Sequence, residues 1–118
     1  MSKKILKLLS RPGLKDSVRG IAHITGGGFQ DNIPRVIPKG FQVRVKKHSW
    51  PRPEIFNIIQ KRSGLPDEEM YRTLNMGIGL VLVVDRKKAE AVRRFLKPAY
   101  EIGVIERGGK GVILESCE

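Results

Sequence analysis

Residues Gly20–Asn32 read GIAHITGGGFQDN, an alternating strand-like run that ends in three consecutive glycines. Three glycines in a row carry neither a helix nor a strand forward without a large loss of backbone freedom, so the chain has to turn there. Within the run, Ile21, His23 and Thr25 share one face, and Ala22 and Ile24 share the other. His23 and Thr25 therefore point together toward the end where the glycines begin. Two readings stay open from the residues. One is an anion site, in which Gly26, Gly27 and Gly28 present consecutive N–H groups ahead of a helix and let a ligand approach the backbone closely. The other is a tight turn with positive φ, Thr25 capping the next helix and His23 hydrogen-bonded in the core. The stretch is neither a Walker loop, since no Gly-Lys-Ser or Gly-Lys-Thr follows, nor a G-x-G-x-x-G fingerprint.

The rest of the chain alternates helical and strand-like periods. KKILKLL places Ile5, Leu6, Leu8 and Leu9 on one side of a helix, which Pro12 and Gly13 break. GFQVRVKK sets Phe41, Val43 and Val45 against Gln42, Arg44 and Lys46, the period of a half-buried strand. Two prolines before an apolar-periodic run and Gly64 after it mark a helix from about Pro53 to Ser63. A second helix starts at Pro66, with Asp67, Glu68 and Glu69 favouring its positive end, and closes near Asn75. GIGLVLVV is continuously apolar, which predicts a central strand covered on both faces. DRKKAEAVRRFLK predicts an amphipathic helix capped by Asp85, with Ala89, Val92, Phe95 and Leu96 inward and Pro98 as its stop. AYEIGVIER and GVILES, separated by GGKG, predict a terminal hairpin. The expected fold class is α+β, a layered sandwich of helices on one mixed main sheet, with residues 1–118 forming a single domain.

Charge and cysteine content narrow the function classes. The 23 Lys and Arg against 12 Asp and Glu give a formal charge of +11. Such a balance invites a phosphate-rich partner. The cations are spread along the sequence, however, and few aromatics interleave with them, so nucleic acid is not expected as the main partner. No apolar stretch approaches the roughly 20 residues of a membrane span, and no secretion signal is evident. A lone cysteine, Cys117, builds neither a disulfide framework nor a thiolate metal site, so no metal is expected and a reducing, cytoplasmic setting is.

Three long strings in order, IAHITGGGFQDNIPRVIPKG, SWPRPEIFNIIQ and EEMYRTLNMGIGLVLVV, resemble the C-terminal domain of the phosphoribosylformylglycinamidine cyclo-ligase (aminoimidazole ribonucleotide synthetase) family. The resemblance runs from about Ile5 to Leu114 and is closer than that to the related folds of selenophosphate synthetase, thiamine-monophosphate kinase and the amidotransferase of the preceding purine step. It implies a role in purine synthesis, where ATP activates the formyl amide oxygen of formylglycinamidine ribonucleotide and ring closure yields aminoimidazole ribonucleotide, ADP and phosphate. It also implies an absent N-terminal domain that forms the dimer and contributes most of the ATP and Mg2+ site. The chain is then the C-terminal half of an enzyme, inactive without that partner domain, and neither ATP nor Mg2+ is expected to be held by it alone.

The same resemblance turns the HITGGG loop toward an interdomain cleft. Its phosphate donors would be the N–H groups of Gly26, Gly27 and Gly28 and the Thr25 hydroxyl. His23 is a second donor, or a base if held neutral. Asn32 is a helix-capping residue or a cleft contact, and Asn75 a cleft contact or a C-cap. Arg72 suits a bidentate phosphate contact or a pair with Glu68. Trp50 reads as a packing anchor. The loop RPGLKDS is long and the link LKPAY short for the family. The alternative to a catalytic half is a non-catalytic domain of the same descent that binds anions or oligomerises. Removing a partner domain exposes apolar surface, so a homo-oligomer is expected.

Overall fold

The computed structural model describes residues 3–116. Cys117 lies outside the described residues. Among the described residues, five α-helices, α1 (Lys3–Ser10), α2 (Gly28–Asn32), α3 (Glu54–Ser63), α4 (Asp67–Thr73) and α5 (Ala89–Phe95), are interspersed with five strands, β1 (Val18–His23), β2 (Phe41–Lys46), β3 (Leu80–Val84), β4 (Gly103–Arg107) and β5 (Val112–Glu115). The class is α+β with a mixed sheet, as the order of periods predicts. None of the described helices is long and apolar enough to cross a membrane.

The strands divide into two sheets, an antiparallel β1–β3 ribbon and a three-stranded sheet in the order β4–β2–β5. Two expectations are corrected here. The hairpin expected from the last two strands does not form, because β2 lies between them, antiparallel to β4 and parallel to β5. β2 takes the centre because its inward residues, Val43 and Val45, are both buried, whereas β4 keeps Val104 and Ile105 largely exposed. Arg44 fixes the arrangement from the other face, donating to Glu106 on β4 at 2.8 Å and to Glu115 on β5 at 3.0 Å. Hydrogen bonds from Arg44 and then Gln42 hold the Glu106 carboxyl below the usual carboxylate range. The second correction concerns β3, which pairs only with β1 and stays partly exposed along its whole length. An apolar run signals that a strand seeks cover without saying whether the chain itself provides it.

The helices follow their signals closely. α3 ends at Gly64 in the left-handed conformation, whose N–H donates to Gln60 O. On α1, Ile5 and Leu8 are buried one turn apart, while Leu6 is 55% exposed and so leaves the expected apolar stripe. Asp85 opens a short 3₁₀ turn, Arg86–Lys88, ahead of α5, and its carboxylate pairs with Arg19 at 3.4 Å instead of capping the helix.

The core sits where α2, α4 and β2 converge. Phe29, Trp50 and Tyr71 meet as an aromatic trio with centroids 5.6 to 6.2 Å apart, Phe29 and Trp50 stacked and the other pairs edge-on. The Trp50 indole N–H donates to Met76 O at 3.0 Å, which satisfies its one polar atom, and the residue is the packing anchor its setting suggests. A cleft of about 830 Å3 runs between the two sheets and beneath α1 and α5, lined by Ile33, Val45, Leu82, Val92 and Ile102.

Candidate functional site

The glycine turn joins β1 to α2 at one end of the β1–β3 ribbon. The alternation holds: Ala22 and Ile24 are buried, while His23 and Thr25 are exposed on the other face. His23 is thus not a core histidine, and its imidazole has no hydrogen-bond partner among the described residues. Gly28 N donates to Thr25 O at 2.9 Å, closing the turn. Gly27, at φ 95°, occupies the N-cap position of α2, and no side chain caps the helix, so Thr25 does not play that part.

Gly28 is required for a second reason. It is buried at φ 57°, and a Cβ there would collide with the carbonyl oxygen of Tyr71 and the backbone of Arg72. The turn therefore lies directly on the last turn of α4, an approach open only to a residue without a side chain. Its N–H and that of its neighbours differ in use. Gly28 N–H is spent inside the turn, whereas Gly26 and Gly27 N–H groups donate to no acceptor among the described residues.

Asn32 holds the turn from inside. It is buried, and its amide donates to Gly28 O at 2.7 Å, with longer contacts to Thr25 O at 3.4 Å and Gly26 O at 3.5 Å. The Thr25 hydroxyl in turn donates to Asn32 Oδ1 at 3.3 Å. Asn32 sits where it fixes the loop's shape, a role that the sequence reading did not consider. The signal was present in the spacing, since a side-chain amide four residues after a turn glycine reaches back over one helical turn.

Asn75 lies at the same end of the ribbon. Ile24 N donates to Gly79 O at 3.0 Å, tying the start of the glycine turn to the loop that follows α4. In that loop Asn75 Oδ1 accepts from Gly77 N at 2.8 Å, and Asn75 O accepts from Ile78 N at 2.9 Å. Leu74, not Asn75, is the C-cap of α4, and Met76 takes the left-handed conformation with φ 55°. Gly77 and Gly79, in the loop that follows Asn75, line the inter-sheet cleft. Arg72 is exposed beside Gly28 and makes no pair with Glu68 among the described residues.

A polar network missed in the sequence backs this end of the molecule. Lys47 pairs with Asp67 at 2.9 Å, Gln60 donates to Asp67 at 2.8 Å, and Arg52 donates to Gln60 Oε1 at 2.8 Å. The hydrogen bond from Gln60, then that from Lys47, holds the Asp67 carboxyl below its ordinary range. Burial pushes the Tyr71 phenol up, and its hydroxyl contacts Lys47 O at 3.4 Å. Among the described residues no group of three or more His, Cys, Asp or Glu side chains is placed to hold a metal ion. What the arrangement offers is a turn with two free backbone donors, next to an exposed imidazole and a hydroxyl that share one face of the strand. That set suits an anion with several oxygens.

Residues 1–115 match the family model described as AIR synthase related protein, C-terminal domain. The phosphoribosylformylglycinamidine cyclo-ligase of Pseudothermotoga lettingae is 49% identical over 105 residues, covering 86% of this chain and 31% of the relative. That of Caldicellulosiruptor saccharolyticus is 47% identical over 116 residues, covering 95% and 33%. That of a Polaromonas species is 50% identical over 98 residues, covering 80% and 28%. The chain thus spans about a third of the length of these relatives and matches their C-terminal part. Among solved structures, thiamine monophosphate kinase from Aquifex aeolicus superposes with a TM-score of 0.56 at 15% identity, over 86% of this chain and 32% of that one, a likeness of fold. The match over nearly all of its length places this chain in the AIR synthase related family, as its C-terminal domain.

Proposed function

We propose that this chain acts as the C-terminal, cleft-forming part of a phosphoribosylformylglycinamidine cyclo-ligase. The observation that carries the reading is the glycine turn, with the Gly26 and Gly27 N–H groups free and His23 and Thr25 exposed beside them. A phosphate of formylglycinamidine ribonucleotide or of ATP fits those donors. Gly28 and Asn32 shape the turn beneath it, and the Thr25 hydroxyl joins by rotating away from Asn32. Asn75 borders the same end of the ribbon, where it contributes to the cleft by shaping its loop.

ATP with Mg2+, when bound by the rest of the enzyme, supplies the phosphoryl group that activates the formyl oxygen. Positioning and charge neutralisation do most of the work in such transfers, and fixed backbone N–H groups serve both without reorganising. The N-terminal portion of the longer relatives is the partner in this reading, the setting is the cytoplasm, and the chain alone turns over no substrate. A second reading, a non-catalytic domain that oligomerises, draws on the half-exposed β3 strand.

The test is ADP release from ATP and formylglycinamidine ribonucleotide, with this chain alone and with a separately produced N-terminal part of a relative. Activity is expected only in the mixture. Gly27→Ala should lower it by more than about tenfold, because a side chain at that left-handed position runs into Asp31 and displaces a donor. Silence in a mixture where the two parts demonstrably bind would overturn the catalytic reading in favour of the second.

A further inference from the structure

The cations that lie apart in sequence are gathered by the fold. Segment 3–11 carries Lys3, Lys4, Lys7 and Arg11, and segment 86–97 carries six more cations with Glu90 as the single carboxylate of the two segments. The two segments touch at two points. The Arg11 guanidinium stands 5.2 Å from the Phe95 ring centre, and Lys4 Nζ donates to Lys97 O at 2.7 Å. Lys4, Arg86 and Arg93 also border one cleft, so the two helices contribute to a single rim. Glu90 is already engaged by both Arg93 and Arg94, and Glu101 also acts on Arg93, so the cations of the two segments far outnumber the carboxylates beside them.

We infer that the α1–α5 face binds the phosphate backbone of a nucleic acid without reading its sequence. Repeated negative charge is the complement of ten cations on two adjoining segments, and release of condensed counterions supplies the affinity. Stacking is not needed in this mode: Phe95 sits under Arg11, and no other ring lies in either segment. A membrane surface is the poorer partner: Ile5, Leu8 and Val92 are buried in the protein, and Leu6 alone projects well outward from α1. The inference is independent of the cyclo-ligase reading, because none of these residues belongs to the glycine turn.

The experiment is fluorescence anisotropy of the full chain with a labelled single-stranded RNA of about 20 nucleotides, titrated between roughly 50 and 200 mM salt. Binding should weaken steeply with salt, with a log–log slope near −0.7 for each phosphate contacted. The double variant Lys7→Glu with Arg94→Glu should lose more than about tenfold in affinity and flatten the slope. The charge-matched control Lys39→Glu with Lys61→Glu, on exposed loop and α3 positions away from the patch, should lose less than about threefold. Circular dichroism of both variants checks that they remain folded, and Lys7→Gln with Arg94→Gln replaces the patch variant if it does not. Equal losses in the two double variants, no binding at the lowest salt, or binding to anionic phosphatidylserine vesicles but not to RNA would each overturn the inference.

Discussion

The two ends of the β1–β3 ribbon are built to different standards. At the glycine turn, Phe29, Tyr71 and Met76 are fully buried, the Trp50 N–H is satisfied, and Asn32 ties the loop from within. Along the rest of the ribbon, β3 offers five apolar residues, none fully covered, to a cleft of about 830 Å3. Packing is thus tight around the glycine turn, and the loose side is one that another surface can complete. The contrast teaches that rigidity in a small domain is local, since a close-packed corner holds a loop in place even when a neighbouring strand lacks a second layer.

Substitutions on the two sides measure how deep the contrast runs. Trp50→Ala empties the centre of the trio and strands Met76 O, and should cost about 3–5 kcal/mol in urea unfolding, whereas Leu82→Ala on β3 should cost about 1 kcal/mol or less. Comparable losses at the two sites would erase the distinction. Gly28→Ala sets a methyl group against the Tyr71 carbonyl at a positive φ, and should cost roughly 2–4 kcal/mol while shifting the amide resonances of both α2 and α4. A Gly28→Ala protein of unchanged stability would mean that the turn does not rest on α4.

The smallest effect sharpens the comparison through pH. The Asp67 carboxyl is held down in the folded state by Gln60 and Lys47, so its contribution is present above the ordinary carboxylate range and is lost as pH falls through the lowered folded value. Asp67→Asn should therefore lower the urea midpoint at neutral pH and have little effect in strong acid, by well under about 1 kcal/mol because the pair is partly solvent-screened. A difference between the two proteins that grows as pH falls would refute the sign.

Local chemistry was legible in the sequence and long-range pairing was not. Gly64 marked the end of α3, and the alternation of Val43 and Val45 marked both the strand and its inner face. Period two placed His23 and Thr25 on one shared face, but that this face is the exposed one came only with the structure. Which strand lies beside which depends on contacts between distant segments. β4 and β5 had the look of a hairpin because they are adjacent in sequence, and the charges that link each to β2, Glu106 and Glu115 to Arg44, carry no local signature. The glycine turn was recognisable as a turn, but its seat on the backbone of α4 and its tie to Asn32 required three dimensions.

The placement of β2 between β4 and β5 also has a meaning for biosynthesis. Arg44 and Glu115 are 71 residues apart in the chain, so β2 leaves the ribosome long before either of its neighbours exists. Until then both of its edges are open, and the nascent segment Phe41–Lys46 is the point most exposed to premature pairing with other chains. Its alternating Arg44 and Lys46 charges lie where gatekeepers are needed, and the sheet closes only once β5 has followed.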